Sequence, residues 1–283
     1  MRYALCIEQK KAGMRQAPTL QEAHNMNAIS TPGRKNADVL GFRMKFGVLG
    51  PSTNTVVQPD FDDLRPYGVT NHYSRIVVDN PTAFNNESFL AGVADIDANT
   101  ANAVRGVMTC APDYLVMGMS AVTFFGGAEG ARKWREQVEE MSGLKASTGS
   151  EATVAALQAY VNIKKVAFFS PYYPAANDQV RNFLSDYGYE TVRDIPLQCP
   201  SWLAIAEQTP ERLRDTIKAL DGDDVDAIIQ VGTNLSNIRM AAAAELFLGK
   251  PVIAINTATY WHALRANGFT EQKAGFGRLM SDF

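Results

Sequence analysis

Lys45-Phe46-Gly47-Val48-Leu49-Gly50-Pro51-Ser52 and Lys165-Val166-Ala167-Phe168-Phe169-Ser170-Pro171-Tyr172 are built alike. Each runs from a basic residue through a short apolar strand to a small residue and then a proline in a turn. A second pair follows in the same order. Asp113-Tyr114-Leu115-Val116-Met117-Gly118 and Asp226-Ala227-Ile228-Ile229-Gln230-Val231-Gly232 are each an Asp, a strand and a glycine turn, offset by one residue. From Pro51 to Gly118 is 67 residues, and from Pro171 to Gly232 is 61. Any two buried parallel strands look somewhat alike, so coincidence is the competing explanation. The agreement in order favours two similar lobes that meet across a cleft lined by strand C-termini, where open α/β sheets bind ligands.

Around these anchors the chain alternates strand, turn and helix. Short apolar runs at 46–49, 74–78, 114–117, 166–169, 227–231 and 252–255 suit parallel strands covered on both faces. Stretches of 3.6-residue period at 128–141, 151–161, 175–187, 210–220 and 238–248 predict helices. Thr209 before Pro210 reads as an N-cap followed by proline at the first helical position. Gly188 and Gly249 read as helix stops. Alternation of this kind means βαβ units and parallel sheets.

The composition narrows the function. The 283 residues are 46% hydrophobic and 20% charged, the ordinary globular balance, and the net charge of −3 argues against a nucleic-acid surface. No run is long and apolar enough for a transmembrane helix, so no membrane partner is expected. Cys6, Cys110 and Cys199 are scattered, with no CxxC pair, which fits a reducing cytoplasmic setting. His24, His72 and His262 lack metal-ligand spacing, and no metal or cofactor is expected. Residues 1–43 are polar, basic and aperiodic, with no apolar core of a secretory signal, and Glu8, Glu22 and Asp38 interrupt any transit-peptide pattern. They read as a disordered leader or an over-extended start, with Met44 as the true first residue.

Five turns can carry chemistry. Gly50-Pro51-Ser52-Thr53-Asn54-Thr55 opens a helix, and its hydroxyls, amide and backbone N–H groups suit a small anion; simple N-capping by Ser52, Thr53 or Asn54 would explain it equally. In Gly118-Met119-Ser120-Ala121-Val122-Thr123-Phe124-Phe125-Gly126-Gly127 the glycines allow close backbone approach and Ser120 can donate to an oxyanion. Phe124 and Phe125 form either an apolar wall or plain core. A pocket of donors and apolar groups suits an acid with a hydrophobic substituent. Tyr172 and Tyr173, just past a strand, either present a hydroxyl as donor or acid or lie half-buried on the surface. Gly232-Thr233-Asn234-Leu235-Ser236-Asn237 is a polar turn that could hold a ligand or only cap the next helix. Ser150, ending Ser147-Thr148-Gly149-Ser150, is a further site candidate or that helix's cap. None of these is a P-loop, a GxGxxG fingerprint, a GxSxG elbow or an HExxH motif.

Taken in order, the turns resemble the arylmalonate decarboxylase and maleate cis-trans isomerase branch of the aspartate/glutamate racemase superfamily. Pro51-Ser52-Thr53-Asn54-Thr55 resembles the PSSNT-type turn of the isomerases, and Gly118 through Gly127 the GTSLSFFRG-type turn of the decarboxylases. Pro171-Tyr172 falls where both families have a tyrosine. Tyr260-Trp261-His262-Ala263-Leu264-Arg265 resembles their FWDAVR-type helix, and Gly275-Phe276-Gly277-Arg278-Leu279 their GxGRL ending.

The resemblance covers roughly residues 44–280 and implies an α/β fold of two similar lobes, each with a four-stranded parallel sheet flanked by helices, with the ligand cleft between them. It puts 44–148 plus 258–283 in the first lobe, the C-terminal stretch packing back on it, and 149–257 in the second. It also implies chemistry through an enediolate beside a carboxylate. Racemases use a thiol from each lobe, arylmalonate decarboxylases keep only the second-lobe thiol, and maleate isomerases use a thiol as nucleophile. Here Gly118 falls at the first-lobe thiol position, as in the decarboxylases, and Gly232 at the second, which departs from all three. The expected function is a cofactor-independent lyase or isomerase acting on a small carboxylic or dicarboxylic acid. Tyr172, Ser120 and Thr233 are the expected catalytic groups. Asn54, Ser52, Gly118, Met119, Gly232, Asn234 and Ser150 are the expected binding groups. The alternatives are a hydrolase of a small cyclic amide or ester using an activated water, and a non-catalytic carboxylate-binding protein. The expected partner is the small carboxylate itself, with a homo-oligomer left open.

Overall fold

The computed structural model describes residues 38–80 and 84–283, so most of the expected leader lies outside the described residues. The first strand begins at Met44, where the sequence places the start of the fold. Two four-stranded sheets follow, all parallel. β1 (Met44–Pro51), β2 (Val69–Ile76), β3 (Tyr114–Met117) and β4 (Ala146–Ser147) lie in the order β2-β1-β3-β4. β5 (Lys165–Ser170), β6 (Glu190–Pro196), β7 (Ala227–Gln230) and β8 (Val252–Ala254) repeat it as β6-β5-β7-β8. The central strands are buried because helices cover both faces, which is why they read as unbroken apolar runs.

The helices are α1 (Val57–Leu64), α2 (Asn86–Met108), α3 (Gly127–Ser142), α4 (Gly149–Ala159), α5 (Pro174–Asp186), α6 (Trp202–Ala206), α7 (Pro210–Leu220), α8 (Ile238–Leu248), α9 (Ile255–Ala266) and α10 (Arg278–Asp282). Several local expectations hold. Thr209 caps α7 by accepting from Arg212 N–H, with Pro210 at the first position. Gly249 ends α8 at φ 69°, and Gly188, just past the end of α5, has φ 81°. The cap of α4 is Thr148, which accepts from Glu151 N–H; Ser150 is buried inside that helix instead. The second strand lies earlier than the apolar run at 74–78 suggests, because its pairing with β1 is set from Val69 onward.

α9 joins the two halves. It leaves β8 of the second sheet and packs against α1, α4 and the strands β3 and β4 of the first sheet. Its Tyr260 is fully buried between Phe46 and Phe61, and the phenol donates to Asn71 Oδ1 at 3.0 Å.

Candidate active site

The C-terminal ends of the four central strands β1, β3, β5 and β7 open on one cavity of about 50 Å3. That is well above the roughly 10–15 Å3 one water needs. Its floor is polar: Thr53, Asn54, Ser120, Tyr172, Thr233 and Asn234. Its wall is apolar: Val93 and Ile96 from α2, Met119 and Val122 after β3, and Trp202 and Ile205 from α6. Phe124 and Phe125, the sequence candidates for that wall, are not in it. Phe124 is core, stacked edge-on against Phe183 at 5.2 Å.

The polar groups are tied across the two halves. Ser120 Oγ and the Tyr172 hydroxyl are 2.8 Å apart and both are buried, so one donates to the other and one proton is left for a ligand. Asn54 serves two roles. Its Oδ1 accepts from Val56 and Val57 N–H (3.0 and 2.9 Å), closing the start of α1, while Nδ2 donates to Thr233 Oγ1 at 3.0 Å. Thr233 Oγ1 in turn donates to the Gly118 carbonyl at 3.0 Å. Asn234 returns the contact, accepting from Thr55 N–H at 3.0 Å and donating to the Trp202 carbonyl at 2.9 Å. Asn54 thus closes the start of α1, as the capping reading expects, and also lines the cavity. For α8, neither Ser236 nor Asn237 makes a side-chain cap.

Three of the named residues, Ser52, Ser150 and Gly118, lie outside the cavity lining. Ser52 is exposed, its hydroxyl accepting from Val78 N–H at 3.1 Å, and Ser150 is enclosed in α4. Gly118 contributes only its carbonyl to the Asn54–Thr233 bridge, whereas Met119 and Gly232 line the cavity. The sequence reading missed Thr53, Val93, Ile96, Trp202 and Ile205. Thr53 sits in a turn already singled out. Only the packing of α2 and α6 brings in the others.

The lining contains no Asp, Glu, His, Lys, Arg or Cys among the described residues. Burial pushes the Tyr172 phenol well above its ordinary range, with the Ser120 contact acting weakly the other way, so it stays a neutral donor. The two thiols among the described residues are elsewhere. Cys199 is buried behind Pro171, to whose carbonyl its N–H donates at 3.0 Å, and burial pushes its thiol up to about 11. Cys110 follows α2, and its thiol donates to the Val107 carbonyl at 3.1 Å. Gly232 has φ 104°, and a Cβ there would lie 2.4 Å from Pro171 Cδ. Among the described residues no acceptor in the protein meets the N–H groups of Thr53, Ser120, Thr233 and Asn234, all of which line the cavity. No group of three or more metal-ligating side chains is found among the described residues, and no helix among them is long and apolar enough to cross a membrane.

The turns after β3, β5 and β7 fall in a stretch that a family model recognises, while the turn at Pro51–Asn54 precedes it. The arylmalonate decarboxylase model matches residues 83–280. The chain belongs to the arylmalonate decarboxylase family. A maleate isomerase of Geobacillus stearothermophilus is 27% identical over 119 residues, 42% of this chain and 47% of that protein. The arylmalonate decarboxylase of Bordetella bronchiseptica is 26% identical over 176 residues, 59% of this chain and 70% of that protein. The matched stretch thus spans about half the length of the maleate isomerases. Among solved structures, a Nocardia farcinica maleate cis-trans isomerase superposes with a TM-score of 0.75 at 21% identity, over 84% of this chain and 97% of that one. An arylmalonate decarboxylase structure superposes at 0.66 and 20% identity, over 83% and 98%. These likenesses establish the two-sheet α/β fold.

Proposed function

We propose that this family member is a cofactor-independent lyase that decarboxylates a small malonate-type acid through an enediolate. The observation that carries this reading is a pocket of neutral hydrogen-bond donors with no ionisable base or thiol in its lining among the described residues. Racemisation needs a base to take a proton from carbon, and thiol-dependent isomerisation needs a nucleophile. Decarboxylation needs neither, because the breaking C–C bond itself supplies the electron pair. The retained carboxylate would be bound by Asn54, Ser120, Tyr172 and the backbone of Thr233 and Asn234. Those donors strengthen as charge gathers on the enediolate oxygens, and being fixed beforehand they cost no reorganisation. The leaving carboxylate would face Val93, Ile96 and Ile205, where loss of charge as CO2 is favoured over an ion poorly solvated by apolar groups.

The pair of electrons left on carbon must take up a proton. Tyr172, or a water held near Thr233, supplies it, and the phenolate is reprotonated from solvent through Ser120. We further read 44–148 with 258–283 as one lobe and 149–257 as the other, supported by the two separate sheets and by α9 packing against α1. The unpaired Cys110 and Cys199 support a reducing, cytoplasmic setting.

The test is incubation with substituted malonates in deuterated water. Release of CO2 with deuterium on the α-carbon is the expected result, and Tyr172→Phe lowers kcat about 10²-fold while Ser120→Ala lowers it less, as for removed oxyanion donors and acids. Label from H2¹⁸O entering a new carboxylate instead would identify a hydrolase. Saturable binding with no product on long incubation would identify a binding protein. Full activity in the double variant would remove both residues from the mechanism.

A further inference from the structure

A second cavity of about 190 Å3 lies on the far side of the apolar wall, lined by Val78, Asp79, Phe84, Ser88, Ala91, Gly92, Asp95 and Trp202. Trp202 is common to both cavities. The separation is written into α2. Ser88, Ala91, Gly92 and Asp95 form the i, i+3, i+4, i+7 stripe that faces the outer cavity, while Val93 and Ile96 face the inner one. The indole lies over this helix at Gly92, where a Cβ would come within 2.8 Å of its Cζ2. A glycine inside a 23-residue helix is costly, and here the close approach of the ring accounts for it.

The ring and its backbone are held differently. The Trp202 carbonyl is pinned by Asn234 Nδ2 at 2.9 Å, and Leu203 N–H donates to Asn80 Oδ1 at 3.2 Å. The indole packs against Phe84 and Phe89, with ring centroids 4.5 and 5.1 Å away, and its N–H finds no acceptor among the described residues. The position of the wall therefore depends on packing alone.

We propose that Trp202 sets the size of the group that the substrate carries on its α-carbon. With the indole in place, the site takes malonate-type acids bearing a small aliphatic substituent. An aryl substituent needs the space that the indole and the outer cavity occupy. This rests on the decarboxylase reading for its choice of acids, and it adds to it the class of acid selected.

The experiment is a series of methyl-, ethyl-, butyl- and phenylmalonate, read both by thermal shift and by CO2 release, for the native protein, Trp202→Leu and Gly92→Ala. The native protein should favour the methyl and ethyl acids. Trp202→Leu should raise the phenyl-to-methyl ratio by about tenfold or more, the scale of discrimination that apolar pocket walls provide. Gly92→Ala should push the ring inward and move the cut-off the other way, so that butyl is lost before methyl. Opposite shifts from two sites cannot come from loss of stability, which weakens all four acids together. A ratio unchanged within twofold in both variants would overturn the role of Trp202 while leaving the decarboxylase reading intact. If the acids bind with this size order but release no CO2, the decarboxylase reading falls and the role of Trp202 stands. If no acid shifts any of the three proteins, both fall.

Discussion

In the first half, Gly118 N–H donates to the Leu49 carbonyl at 2.6 Å, directly after the last paired residue of β3. In the second half the group in that place is Val231, whose N–H donates to Phe169 O at 2.9 Å. Gly232 is therefore the counterpart of Met119, one residue further on. The two glycines look interchangeable in sequence, but different forces hold them. At Gly118 a Cβ would meet the Leu49 carbonyl at 3.1 Å and the methyls of Val48 and Val57 at 3.3 Å, which is tight but adjustable. At Gly232 the backbone itself is left-handed and the Pro171 ring fills the space. A duplicated architecture can thus place the same residue type at both turns for unrelated reasons. A side chain cannot be placed at 232 without shifting the turn or the Pro171 ring.

The sharpest way to break this comparison is alanine at both positions. Gly232→Ala combines a strained φ with overpacking and should cost about 4 kcal/mol, whereas Gly118→Ala should cost about 1 kcal/mol. Urea denaturation of the two variants checks it, and equal losses would show that the turns are equivalent after all. The next largest effect concerns the two cross-half asparagines. Asn54→Ala removes the closure of α1 and a partner of buried Thr233, an expected loss of about 3 kcal/mol, against about 1 kcal/mol for Asn234→Ala. A double-mutant cycle with Thr233→Val would show whether the Asn54 loss runs through that contact.

The smallest effect separates two buried carboxyls by pH. Asp60 on α1 has one side-chain partner, Asn256 Nδ2 at 2.8 Å, and burial pushes its carboxyl up to about 6 from 3.8. Asp63 pushes the same way, and the Asn256 bond and Arg239 oppose it. Because the folded protein holds this proton more tightly than the unfolded chain, the stability linked to it is complete below pH 3.8 and is lost as pH rises through about 6. Asp60→Asn keeps an acceptor for Asn256 and should stabilise the protein by roughly 1–2 kcal/mol at pH 8 and not at pH 4. Glu245 on α8 is also pushed up by burial. It is opposed by hydrogen bonds from Arg278 N–H (2.7 Å), Val252 N–H (3.2 Å) and the Tyr160 hydroxyl (3.1 Å). Glu245→Gln, which turns one of its acceptors into a donor, should destabilise at pH 8. Denaturation midpoints across pH would show the opposite signs.

Much of the fold was legible because the central strands are apolar on both faces. The strands at 114–117 and the helices at 210–220 and 238–248 appear with those bounds. What escaped lies at the sheet edges. β6 carries Glu190, Arg193 and Asp194 and is only half-buried, so no period marks it, and β4 is two residues long. α2 escaped for another reason. Its buried Phe89, Val93, Ile96, Ala103, Val104 and Val107 are diluted among polar residues over 23 positions.

The same physics divides the site. Its polar floor was readable, since Asn54, Ser120, Tyr172, Thr233 and Asn234 each stand within a few residues of a central strand end. Local chemistry of that kind is set by the neighbouring backbone. The amino-acid sequence by itself determined the duplicated strand–turn framework, the polar turns and the family resemblance. Only the tertiary structure decided that Ser120 meets Tyr172 across the halves, that Ser52 and Ser150 stay out, and that a side chain at Gly232 would collide with the Pro171 ring. It alone decided that α2 and α6 supply the wall. Those outcomes depend on contacts between residues tens of positions or more apart, whose distances follow from how sheets and helices pack and leave no trace in local spacing.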